Sequence, residues 1–178
     1  MFAHAADVQR DFGTPHFVIN NAGVPMTGTF DHMSLEEIEW QLNINLWGVI
    51  YGNMAFLPML LAQREGCIVN MSSTLGLVGL PIQSAYNIAK FGVRGLTESL
   101  WSELDGTGVR AVCVLPGGVR TNLDKGGRLC AKAGLKTRDT TAWQKKCRPP
   151  RRPTAQITFS MALSAATCAS CPATRPAT

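Results

Sequence analysis

Three short apolar runs, each closed by small or polar residues, constrain this chain more than anything else in it. They are "PHFVINNAG" (15–23), "CIVNMSS" (67–73) and "VRAVCVLPGGV" (109–119). Each reads as a buried strand that ends in a turn. A helical pattern starts at Ser34, where Ser34 and Glu37 form a capping box. It continues through Ile38, Leu42, Leu46, Val49 and Ile50, and Gly66 is the expected stop. A second helix is expected over residues 84–103, with Tyr86, Ala89, Val93, Leu96, Leu100 and Leu104 on one stripe. Apolar strands joined by helical crossovers predict an α/β fold: a parallel sheet in three layers, covered on both faces. Ligands bind such sheets at the carboxyl ends of the strands, where "NNAG", "NMSS" and "LPGG" all fall.

The chain has 178 residues, 46% of them hydrophobic and 16% charged, which suits one domain or part of one. Its net charge of +5 is unevenly spread. Residues 1–124 carry 6 Lys/Arg and 11 Asp/Glu, whereas residues 125–178 carry 11 Lys/Arg and 1 Asp/Glu. Two kinds of sequence are therefore joined, with the boundary expected near 124. The start, "MFAHAADVQRDFG", has no basic n-region or apolar h-region, so a cytoplasmic location is expected. No charge falls between Glu39 and Arg64, but Asn43, Asn45, Asn53, two glycines and Pro58 argue against a membrane span.

Tyr86 and Lys90 lie four apart on a helix and share a face, and Ser73 precedes Tyr86 by thirteen residues. A phenol with its ordinary pKa near ~10 is a poor catalyst at neutral pH, and a nearby ammonium favours the phenolate. The pair makes a tunable proton donor and acceptor, and a serine hydroxyl could hold a substrate oxygen beside it. The plainer readings are a core tyrosine, a turn serine (Ser72 as well as Ser73), a helix-borne polar Asn45 and turn glycines at Gly117 and Gly118. Gly92 and Gly95 read as sites of close helix packing.

Five pieces, "NNAG" (20–23), "NINLWG" (43–48), "IVNMSS" (68–73), "YNIAK" (86–90) and "LPGGVRT" (115–121), stand in one order over roughly residues 5 to 125. In this the sequence resembles the short-chain dehydrogenase/reductase family. The resemblance implies a partial Rossmann-type domain over residues 1–124, with strands equivalent to the family's fourth to sixth. It implies NAD or NADP as cofactor and hydride transfer to or from an alcohol or carbonyl. Tyr86 resembles the general acid/base. Lys90 resembles the lysine that lowers the tyrosine pKa and bonds the nicotinamide ribose. Ser73 resembles the serine that orients the substrate oxygen, and Asn45 the asparagine that anchors a relay water. Asn21, Ala22 and Gly23 resemble the turn beside the adenosine ribose. Pro116, Gly117, Val119 and Thr121 resemble the loop at the nicotinamide end. No metal is implied. The two long helices, residues 34–63 and 84–103, imply a homo-oligomer.

The family's Gly-rich T-G-x-x-x-G-x-G loop, which cradles the pyrophosphate, has no match before "NNAG". The expectation is a fragment with impaired cofactor binding, whose "FVINN" strand is an exposed edge. The alternative is an inactive scaffold that acts by self-association. After "VRTNLDKGGR" the resemblance stops. Residues 125–178 are expected to be a disordered tail or an out-of-frame translation. In a shifted frame Met161-Ala162 must encode Gly, and Gln156-Ile157 must encode Asp or Asn, as in the family's last helix. "KKCRPPRR" alone does not make a nucleic-acid arm, and "CASC" supplies two zinc ligands of four.

Overall fold

The strand runs pair as their patterns require. In the computed structural model, β1 (Phe17–Asn20), β3 (Gly66–Met71) and β4 (Val109–Val114) form a parallel sheet in the order β1-β3-β4. The structure describes residues 1–119 and 121–131, with only the backbone at Asp124 and Lys125. Val18 lies beside Ile68, and Ile68 beside Ala111, so all three point to one face. That face is buried with Ala5 of α1 (Phe2–Phe12), Phe56 and Leu60 of α3 (Gly48–Gln63), and Leu100 of α4 (Ser84–Glu103).

The other face differs from expectation. Phe17 and Ile19, in register with Cys67 and Val69, are 67% and 63% exposed. That face is open at β1, whereas Cys67 on β3 beside Phe17 is buried. β1 is an open edge, as its sequence position implied.

The capping box at Ser34 is present. Ser34 Oγ accepts from the Glu37 amide at 3.2 Å, and a Glu37 carboxylate oxygen accepts from the Ser34 amide at 2.9 Å. The helix that follows is not uniform. α2 (Leu35–Leu42) passes into a π-helical segment, Asn43–Trp47, before α3 begins. The extra residue per turn rotates the helix, and π segments of this kind recur at functional sites. It buries Gln41, Asn45, Val49 and Asn53, while Ile38, Leu42, Leu46 and Ile50 of the expected stripe are only half-buried.

Within Leu35–Gln63 an 18-residue window has a mean hydropathy of 1.4, enough by length and composition to cross a membrane. Here α3 packs on β1 and β3 and buries the Asn53 amide in hydrogen bonds. α3 stops at Arg64, which takes the left-handed conformation (φ 59°), two residues before the expected Gly66. Gly66 instead opens β3 at φ 135°.

Folded structure runs past the expected boundary at 124. β5 (Arg128–Leu129) pairs in parallel with β2 (Met26–Thr27). The Arg128 guanidinium stacks over the Trp40 ring at 4.0 Å, and the Ala131 amide donates to Glu37 at 2.9 Å. The pairing is made by backbone hydrogen bonds, the Arg128 amide donating to the Pro25 carbonyl at 3.0 Å and the Cys130 amide to the Thr27 carbonyl at 2.9 Å. The tail expectations beyond residue 131 lie outside the described residues.

Candidate active site

The tips of β1, β3 and β4 meet α4 and the π segment. β3 delivers Ser72 and Ser73 where it leaves the sheet. Ser73 caps a 3-10 turn, Thr74–Gly76, its hydroxyl accepting from the Leu75 amide at 3.2 Å. Its hydroxyl also lies near enough to the Tyr86 phenol to favour the phenolate. Ser72 faces elsewhere and donates to the Lys90 carbonyl at 2.7 Å. Geometry thus separates two serines that the sequence left nearly equal: Ser73 is the one beside Tyr86.

Lys90 lies on α4 one turn after Tyr86. Its ammonium donates to the Met71 carbonyl at 2.7 Å and sits 5.6 Å from the Tyr86 ring centroid. Only 4% of Lys90 is exposed, and burial pulls its pKa down to about 8, with the nearby Cys113 acting in the opposite direction. Tyr86 is also buried, which pushes its pKa up, and the Ser73 hydroxyl opposes this. The lysine was expected to depress the tyrosine. The ammonium lies near enough to the Tyr86 ring to act on it, while it is itself anchored on Met71, and the Ser73 side chain also favours the phenolate. At neutral pH the pair is therefore phenol and ammonium, poised to give a proton.

Asn45 is fully buried, and both ends of its amide are used. Its Oδ1 accepts from the Val24 amide at 2.8 Å and its Nδ2 donates to the Val24 carbonyl at 2.7 Å. The side chain therefore fixes the chain just after "NNAG". Gly23 stands beside both groups: a Cβ there would meet Asn45 Oδ1 at 3.4 Å and Lys90 Nζ at 3.7 Å, ordinary contact distances. Asn21 and Ala22 are exposed beside it.

On the far side of the crevice the Pro116 carbonyl accepts from the Thr74 amide at 3.0 Å. Gly117 and Val119 are exposed. Thr121 Oγ1 accepts from the Leu123 amide at 3.2 Å. Gly92 packs as expected, since a Cβ there would stand 3.0 Å from Leu46; Gly95 faces open space and has no such role.

Several polar residues of the site region escape the sequence reading. Gln41 is fully buried and donates to the Val24 carbonyl at 2.7 Å. Asn20, Asn53, Asn70 and Thr97 form one network behind the strand tips. Their signal was an asparagine in each of "FVIN", "GNM" and "CIVN", inside otherwise apolar runs.

Parallel strands with helices between them, and Ser73, Tyr86 and Lys90 gathered beside their carboxyl ends, make a Rossmann-like α/β fold, in which ligands bind at those ends. The model of the short chain dehydrogenase family matches residues 1–129, and the chain belongs to that family. It is 46% identical over 123 residues to the putative oxidoreductase SadH of Mycobacterium tuberculosis, covering 68% of this chain and 45% of that protein. It is 35% identical over 114 residues to the 3-oxoacyl-[acyl-carrier-protein] reductase FabG of Thermotoga maritima, covering 64% of this chain and 46% of that protein. A solved short-chain dehydrogenase from Streptomyces avermitilis superposes with a TM-score of 0.71 at 27% identity. That match covers 80% of this chain and 54% of the other. The chain spans about half the length of the relatives it matches.

Proposed function

We propose that this oxidoreductase chain carries the proton-transfer half of an NAD(P)-dependent site acting on an alcohol or carbonyl. The observation that carries the reading is the convergence of Ser73, Tyr86 and Lys90 at the crevice, with Lys90 charged, buried and tied to Met71. The residues fit the nicotinamide-ribose end of such a cofactor. Lys90 has donors left beyond the one spent on Met71, and Gly23 leaves room beside it. When bound, the nicotinamide supplies or accepts the hydride.

In reduction, Ser73 orients the carbonyl oxygen and Tyr86 gives it a proton, so hydride and proton together convert C=O to CH–OH. In oxidation Tyr86 takes that proton back. Asn45 holds the backbone at Val24, and thereby the Asn21–Gly23 turn, against the site. Pro116, Gly117, Val119 and Thr121 border the nicotinamide end. Within the 178 residues no T-G-x-x-x-G-x-G run supplies a phosphate cradle, so the reading predicts weak binding of a whole dinucleotide by this chain alone.

The exposed apolar side chains of the long helices support self-association as part of the same reading. Trp47, Tyr51 and Met54 stand on one helix and Ile88, Phe91 and Trp101 on the other. The test is ketone reduction followed by NADH or NADPH absorbance. Tyr86→Phe should lower any turnover by about 10²–10⁴-fold, the span of a general acid/base, and leave association unchanged. Turnover unchanged in Tyr86→Phe would refute the assignment.

A further inference from the structure

The structure assigns Asn70 as the positioning residue of this site: its buried amide fixes the strand segment whose next carbonyl holds the Lys90 ammonium. The inference deepens the reading above by naming what keeps Lys90 in place.

Asn70 is fully buried at the end of β3 and uses its amide on three other elements. Its Oδ1 accepts from Asn20 of β1 at 2.8 Å and from Asn53 of α3 at 3.0 Å. Its Nδ2 donates to Thr97 of α4 at 3.1 Å and to Asn53 at 3.3 Å. The partners are themselves held. Asn53 donates to the Val49 carbonyl at 2.7 Å, and Thr97 to the Val93 carbonyl at 2.6 Å. Gly52 keeps the approach tight, because a Cβ there would overlap the Asn20 amide.

From Asn70 onward each residue touches α4 in turn. Asn70 bonds Thr97, the Met71 carbonyl accepts from Lys90 Nζ, Ser72 donates to the Lys90 carbonyl, and Ser73 meets Tyr86. Two of these four links end on Lys90 itself. Backbone pairing holds the segment in the sheet, and Asn70 is the one of the four whose side chain hydrogen-bonds β1 and α3 as well, so it ties the segment to those elements. In a low-dielectric interior such a network is rigid when complete and costly when broken. Losing Asn70 would leave the Met71 carbonyl held by the β4 pairing alone, where Ser72 N–H donates to the Val114 carbonyl at 2.8 Å, and the acceptor of the ammonium would be held less firmly.

The test reads Lys90 without cofactor or substrate, so it stands or falls independently of turnover. Hydrogen exchange of the Lys90 Nζ protons is followed by NMR in chain labelled at lysine with ¹⁵N, the signal being assigned by its loss in Lys90→Met. Asn70→Leu and the gentler, isosteric Thr97→Val should each accelerate exchange, by about tenfold for the loss of a hydrogen bond worth roughly a kilocalorie. Leu60→Ala, a change in the fully buried core away from the site, should leave it within about twofold. If Asn70→Leu does not fold, Thr97→Val alone decides. Exchange unprotected in the starting protein, unchanged in Thr97→Val, or accelerated equally by Leu60→Ala would overturn the assignment.

Discussion

Lys90 should make the stability of this protein depend on pH in a direction opposite to that of a salt-bridged lysine. Its pKa falls from an ordinary 10.5 to about 8 because the ammonium is buried. Between those values the unfolded chain holds a proton that the folded chain has released, so stability rises with pH across that window. The full penalty below pH 8 is about 3 kcal/mol, at roughly 1.36 kcal/mol per pH unit. Roughly 2.5 kcal/mol of it is recovered between about pH 7 and pH 10. Lys90→Met keeps the length of the side chain and removes the charge. Urea unfolding of both proteins at several pH values isolates the effect, because Tyr86, Cys67 and Cys113 are present in both and largely cancel in the difference. The starting protein should gain on Lys90→Met by about 2–3 kcal/mol as the pH is raised from about 7 to 10. Parallel curves, or a starting protein that loses ground as pH rises, would refute the argument that burial dominates at Lys90.

Three further outcomes follow from packing and charge. Gly52→Ala drives a methyl into the Asn20 amide and should cost about 1–3 kcal/mol in chemical denaturation, whereas Gly95→Ala, which faces open space, should not destabilise. Ser34→Ala removes half of the capping box and should cost about 1 kcal/mol, measured by the thermal midpoint. Nicotinamide-dependent reduction should fall as pH passes about 8, where Lys90 loses its proton, and a pH–rate profile still rising at pH 9 would contradict this.

The strands, the register of α4 and the nearness of Ser73, Tyr86 and Lys90 were legible because each rests on local spacing. "FVIN", "CIVN" and "VRAVCV" pair at the residues their apolar runs mark. The π segment was not legible. "NINLW" has an ordinary helical composition, and it is the demand of Val24 for both ends of the Asn45 amide that accompanies the extra residue in the turn. The helix stop was misread for a similar reason: Gly66 has the freer backbone, yet Arg64 takes the left-handed turn and Gly108 packs against its carbonyl. Two-sided burial of the sheet was inferred from apolar residues at adjacent positions such as Val18 and Ile19. At β1 the Ile19 side is open, while on β3 Cys67 of that same side is buried. The Asn20–Asn53–Asn70–Thr97 network joins residues up to 77 apart and has no spacing signature at all.

The central claim is that Gly23, Ser73, Tyr86 and Lys90 surround the nicotinamide-ribose end of a cofactor. The most direct measurement is an NMR titration of the folded chain with reduced nicotinamide mononucleotide, which needs no phosphate cradle for a second nucleotide. The account predicts saturable shifts centred on Gly23, Ser73 and Lys90, lost in Lys90→Met. A folded chain with no saturable shift, or with the same shifts in Lys90→Met, would contradict it.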